Sequence, residues 1–175
     1  PSGDVFFQQL ATEGPMGRNV KDVAMLLSVQ AGWDPRTQIA IKEDPAKFTE
    51  PLNMELKGVK IGWLGNWGGY LPMEEGVLDL CEDALKVLAG AGCIVDAANA
   101  PYSPNRMWDI WMTLRQYQSA CNFKVLADDQ EKKKLMKPEA VWEVESGVGL
   151  SVANAGKAML DRTAMYHACL SLFDQ

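Results

Sequence analysis

Apolar residues recur along this chain in two rhythms, and their changes of period mark its elements. Asn19 stands as an N-cap with Asp22 three residues on, an arrangement close to a capping box. Val20, Val23, Ala24, Leu27 and Ala31 follow at helical spacing, and Met25 and Leu26 widen that face. The width predicts a helix buried on more than one side. Gly32 is the expected stop, and Trp33-Asp34-Pro35 turns the chain away. Ahead of this helix, Val5 to Ala11 reads as a short strand or extended entry, broken by Gly14-Pro15.

From Pro35 to Glu55 the pattern fades into an irregular connection holding Pro45 and Pro51. Val59-Lys60-Ile61-Gly62-Trp63-Leu64 then predicts a strand. Pro72, Glu74 and Glu75 suit a helix start, because acidic side chains favour the positive end of the helix dipole. Val77, Leu78, Cys81, Ala84, Leu85 and Leu88 carry the helix on, Gly90 and Gly92 end it, and Cys93-Ile94-Val95 opens a second strand. Strands near 59–64 and 93–97 around one helix make a βαβ unit, whose strands must be parallel with a right-handed crossover.

Beyond Pro101 the chain reads as helix. Ser103 caps a helix with Pro104 at its first position and Met107, Trp108, Trp111, Leu114 and Cys121 on its apolar side. A shorter helix is expected from Pro138 to about Gly147. A long one follows Ser151, with Ala155, Ala158, Met159, Arg162, Met165, Tyr166, Cys169 and Phe173 on related faces. The fold class is therefore α/β: helix-rich, with one βαβ unit and long C-terminal helices. Two parallel strands are too few, since such a sheet needs both faces and both edges covered. The central sheet is expected to be incomplete, its missing strands supplied from elsewhere.

Composition narrows the classes of function. The chain has 175 residues, 47% apolar and 23% charged, which suits a globular domain. A net charge of -6 offers no basic footprint for nucleic acid. The run Glu131-Lys132-Lys133-Lys134 is expected to be a solvated loop. No apolar run approaches the roughly 20 residues that span a bilayer, so no membrane partner is expected. Cys81, Cys93, Cys121 and Cys169 form no Cys-x-x-Cys, and His167 is the single histidine. This predicts no metal site and no cofactor, and Cys81, Cys121 and Cys169, within apolar helical patterns, are expected as buried thiols in a reducing cytoplasm.

Three constellations invite chemistry. Gly62-Trp63-Leu64-Gly65-Asn66-Trp67-Gly68-Gly69-Tyr70 lies between a strand and a helix, where a phosphate loop would sit. Its glycine spacing matches neither nucleotide motif. It reads instead as a turned loop at the carboxyl end of a parallel strand, with Trp67, Gly68, Gly69 and Tyr70 as candidate pocket wall; capping of the core is the competing role. His167 and Ser171 share a helix with Asp161, but a nucleophile needs an exposed turn and an oxyanion hole, which a regular helix does not offer. Trp108, Trp111, Tyr117 and Trp142 at helical spacing are expected in the core; Trp111 is the one carried forward as a pocket candidate.

Two stretches resemble the amidase-signature family. Gly14-Pro15-Met16-Gly17-Arg18-Asn19-Val20, continuing through Asp22-Val23-Ala24 to Ala31-Gly32-Trp33-Asp34-Pro35-Arg36, is similar to that family's Gly-Pro-Met helix and its Asp-Pro-Arg turn. Leu56 to Trp63, Tyr70 to Glu74 and Ala91 to Val95 resemble the strand, helix and strand that follow there. The resemblance implies hydrolysis of a small-molecule carboxamide to carboxylate and ammonia, by a serine activated through a second serine on a cis peptide and a lysine base.

That catalytic set lies on the N-terminal side of the Gly-Pro-Met segment in the family. Here the seven serines include no adjacent pair, and the one Gly-Gly pair, Gly68-Gly69, precedes Tyr70. No catalytic residue is carried over. The expectation is a single partial amidase domain over residues 1–175, truncated at both ends and inert alone. Its open edges would favour a homo-oligomer. A non-catalytic binding or assembly module is the alternative.

Overall fold

The computed structural model describes residues 12–174; the extended entry expected at Val5 to Ala11 lies outside them. The chain divides into two compact units, Pro1–Glu55 and Leu56–Gln175.

In the first unit, α1 runs Val20–Gln30. Asn19 caps it, accepting from the Asp22 N–H at 2.9 Å and donating its own amide to the Asp22 carboxylate at 3.2 Å. The reciprocal bond thus comes from the Asn19 side chain rather than from its backbone N–H. The helix ends one residue before the expected glycine, because Ala31 turns extended (φ -74°, ψ 159°) while its N–H still bonds the Leu27 carbonyl. A 3-10 turn at Pro45–Thr49, with Asp44 bonding the Ala46 N–H, packs against α1 and orders part of the irregular connection. The broad apolar face of α1 is not buried. Val29 is 79% exposed, and Met25 and Leu26 are exposed too. One short turn is too small to cover a face that wide.

The second unit holds the predicted βαβ. β1 (Lys60–Trp63) and β2 (Ile94–Ala97) pair in parallel, with Ile61 opposite Val95 and Gly62 opposite Asp96. Ile61, Trp63 and Val95 are half-buried, whereas Lys60, Gly62, Ile94 and Asp96 face solvent. α2 spans Val77–Gly90 and packs on β2. Its start is five residues later than Pro72, because Gly76 takes a left-handed conformation (φ 83°) at the N-cap and breaks the turn before it. Its end is a Schellman motif: the Cys93 N–H reaches the Leu88 carbonyl and the Gly92 N–H the Ala89 carbonyl. Gly92 sits at φ 102°, against the Lys57 backbone.

The remaining helices form a bundle. α3 (Pro104–Asp128) packs on α5 (Pro138–Val148) and on α6 (Val152–Phe173). Ser103 stands at the α3 N-cap without a side-chain bond, whereas Ser151 caps α6 through the Asn154 N–H at 3.1 Å. The lysine run is a helical turn rather than a loop: α4 (Gln130–Lys133) is capped by Asp129, and its lysines pair with Asp129, Glu145 and Glu131. At the α3–α5 crossing, Gly147 admits the Gln116 carbonyl so closely that an added Cβ would lie 2.0 Å from it. Beside it, Glu143 takes two bonds from Arg115 and one from the buried Ser119 hydroxyl at 2.8 Å.

The core is small. Ile110, Leu114, Ala127, Val144, Ala155 and Ala158 are buried here, with Cys93 beside the sheet. Trp108, Trp111 and Trp142 are exposed, against the expectation of core. α3 buries the Ile110–Leu114 face and turns Trp108 and Trp111 outward, while Trp142 stands exposed on α5. Of the thiols only Cys93 is buried; Cys81 and Cys169 are half-buried and Cys121 is exposed, against the expectation of burial, because few neighbours surround their helices.

Candidate functional site

The sheet places its two strand ends side by side, and the segments leaving those ends form the candidate site. β1 runs into the loop of residues 64–71. Its shape is set locally: the Asn66 side chain accepts from the Gly69 N–H at 2.8 Å, and the Asn66 carbonyl from the Leu71 N–H at 3.0 Å. Three successive residues then take positive φ: Trp67 (57°), Gly68 (67°) and Gly69 (89°). Two of them are glycines that adopt it freely, but Trp67 is held there against its own preference. Trp67 is half-buried, and Tyr70 stands exposed at the loop's end. Four of the five candidate residues are thus brought together by one turn.

β2 runs into residues 98–101. The Ala98 N–H bonds the Trp63 carbonyl at 2.9 Å, and the Ala98 side chain lies so near Gly62 that a Cβ there would approach it to 3.2 Å. Between this segment and the end of α6 lies a cleft of about 620 Å³, lined by Ala97, Ala98, Asn99, Ala100, Pro101, Ala168, Ser171 and Leu172. The lining carries no ionisable side chain. Sequence reasoning did not single out this cleft, because alanines in a loop give no signal without the strand end that positions them.

Trp111 stands apart from the loop. It lies on α3, and its ring contact is with Trp108, centroids 5.1 Å apart and planes 31° from parallel. His167 and Ser171 do not form a catalytic pair: the Ser171 hydroxyl donates to the His167 carbonyl at 3.1 Å, and the imidazole meets the Tyr166 ring edge-on. The helix backbone occupies the only proton such a serine could give up.

Charge is organised for structure. In the Asp-Pro-Arg turn, Arg36 donates its N–H and its guanidinium to Asp34, holding that carboxyl at a pKa of about 2. Asp161 accepts from Lys157 and from Arg106, whose bond is 2.8 Å, and is held below the usual carboxylate range chiefly by Lys157. The Arg106–Asp161 pair ties the start of α3 to α6. Among the described residues, no group of three or more His, Cys, Asp or Glu is placed to hold a metal, and no helix is long and apolar enough to cross a membrane.

A helix-covered parallel βαβ unit joined to a three-helix bundle defines the class of protein as α/β. The sequence profile of the family described as Amidase matches residues 4–167, and the chain belongs to the amidase-signature family. One subunit of the glutamyl-tRNA(Gln) amidotransferase of Carboxydothermus hydrogenoformans is 32% identical over 105 residues, 56% of this chain and 20% of that protein. An acylamidase of Rhodococcus erythropolis is 31% identical over 110 residues, 61% of this chain and 23% of that protein. Among solved structures, a bacterial aryl acylamidase of the amidase-signature family superposes with a TM-score of 0.77 at 25% identity, over 93% of this chain and 34% of that one. The match thus spans about a fifth of the curated relatives, 20% of the first named, and the chain superposes on a third of the solved structure.

Proposed function

We propose that this chain is the scaffold portion of an amidase whose complete form hydrolyses a small-molecule carboxamide to carboxylate and ammonia, and that alone it is inactive. Both units would then belong to one partial amidase domain, with the loop at Trp67–Tyr70 and the exposed Trp111 contributing pocket wall. The observation carrying this reading is the state of the serines. The family profile runs through nearly the whole chain, yet Ser28, Ser119 and Ser171 donate to the Met25 carbonyl, the Glu143 carboxylate and the His167 carbonyl, and Ser151 caps α6. These four hydroxyls are engaged by backbone or by a carboxylate, not by the basic side chain that an activated serine requires.

The test is ammonia release from simple aliphatic and aryl amides by the purified chain, expected to equal the buffer rate. Turnover abolished by a serine-directed reagent would overturn the reading. A net charge of -6 favours a free-standing amidase over action on a transfer RNA. Four free thiols suit a reducing cytoplasm. The exposed apolar faces support self-association, and a strictly monomeric species in concentrated sedimentation would count against it.

A second reading is a non-catalytic binding or assembly module, favoured by the extent of that exposed surface. The encoding reading frame separates the two: a Gly-Gly-Ser loop and a lysine ahead of Pro1 support the enzyme, and a natural start at Pro1 the module.

A further inference from the structure

α6 carries two seams, and the bundle uses one of them. Ala155, Ala158, Arg162, Met165, Cys169 and Leu172 recur at alternating steps of three and four, and all are buried or half-buried. One residue further round, Val152, Gly156, Met159, Thr163, Tyr166, Leu170 and Phe173 repeat those steps along the whole helix. All but the half-buried Met159 face solvent, with Val152 91%, Tyr166 58% and Phe173 85% exposed. A strict alternation of three and four is the narrow seam by which one helix meets another.

Two features of the outer seam have no explanation within the chain. Gly156 stands inside a helix, where alanine would be more stable. A Cβ added there would find nothing within 4 Å, so no neighbour in this chain calls for the missing side chain. Lys157 is the only charged residue of α6 that faces solvent, and it pairs with Asp161; a solvated helix face ordinarily carries more charge. Both features suit the close approach of a second helix. The seam also complements itself. Run antiparallel to a copy of itself, about a two-fold axis between Ala164 and Met165, Gly156 of one copy meets Phe173 of the other. Met159 then meets Leu170, and Thr163 meets Tyr166. Small faces large, and the same pairs recur beyond the axis, as an isologous contact requires. The area suffices. Taking about 150–250 Å² for a whole aromatic side chain and scaling by exposure, the seam and its flanking Leu160 give up on the order of 600 Å² per copy. Two copies reach roughly 1,200 Å², where stable interfaces begin.

We infer that a second copy of this chain docks along α6, the two helices antiparallel, with Phe173 of each copy seated over Gly156 of the other. The glycine is the hole and the phenylalanine the knob. This inference deepens the self-association reading and rests on it; it does not depend on whether the complete protein hydrolyses an amide.

Sedimentation equilibrium of the full chain should show a reversible equilibrium of monomer and dimer. Tyr166→Glu and Leu170→Glu should each raise the dissociation constant about tenfold or more. Their circular dichroism should match that of the unaltered chain, because both positions face solvent. Gly156→Phe and Phe173→Gly should each weaken the dimer, and the double variant should recover it, since knob and hole have only changed places. Val87→Glu, at a position 73% exposed on α2, should leave the equilibrium alone. A dimer that Val87→Glu disperses and Leu170→Glu does not would overturn the α6 surface and leave self-association standing. A double variant no tighter than either single one would overturn the antiparallel pairing. A chain that stays monomeric at high concentration overturns the surface and the self-association reading together.

Discussion

Gly147 is the residue on which the bundle depends most sharply. Alanine is favoured over glycine inside a helix by about 1 kcal/mol, so Gly147→Ala would stabilise α5 in isolation. Here the new methyl would meet the Gln116 carbonyl at 2.0 Å and the Ala120 side chain at 2.8 Å. Overpacking of this kind costs about 1–3 kcal/mol or more, and the blocking atom is backbone, which cannot rotate aside. The clash wins, and urea unfolding of Gly147→Ala should show a net loss of stability. Asp34 answers to a different variable. Its carboxyl titrates at about 2 in the folded turn against an ordinary 3.8, so the charged form is the one the turn favours. The contribution is complete above about pH 4 and disappears as pH falls through about 2. Carbon-detected titration should place the Asp34 midpoint near 2, and Arg36→Ala should return it to the ordinary value.

At the scale of elements, caps and periodicities were legible and burial was not. Asn19, Ser151 and Pro138 announce α1, α6 and α5, and Gly92 announces the end of α2, because each acts through its neighbours in sequence. Ser151→Ala should therefore cost about 1 kcal/mol, seen as a lower thermal midpoint with early loss of helicity. The start of α2 falls later than Pro72 predicts, since nothing local reveals that Gly76 takes positive φ. The lysine run becomes α4 because Asp129 caps it and Glu145, on a later helix, pairs with Lys133. The widest departures concern α1 and the tryptophans of α3. An apolar stripe states which face wants covering, but only the surrounding elements decide whether it is covered. At the candidate site, the Trp67–Tyr70 turn was readable from its glycines, whereas the cleft beside Ala98 and Ser171 depends on where α6 ends in space.

For the molecule as a whole, the governing quantity is surface. With 13326 Å² still accessible, the chain hides about a quarter less area on folding than a compact protein of its mass. Denaturant sensitivity scales with that change. The urea m-value of the isolated chain should accordingly fall about a quarter below that of compact proteins of equal length. A value matching them would mean that the exposed faces close on one another in solution.

The notch at Gly147 has a consequence in time as well as in stability. Gln116 and Gly147 meet across the helical turn of α4. That loop is about as long as the one between the paired Lys60 and Ile94, so what favours the helices is that each closes its backbone bonds locally. The β1–β2 sheet has no such head start, because each strand's backbone bonds need the other strand. On the ribosome β1 and β2 emerge before α5 is made, so for an interval their outer edges stand exposed ahead of the finished α3–α5 hairpin. During that interval the exposed edges of β1 and β2 are where aggregation would begin.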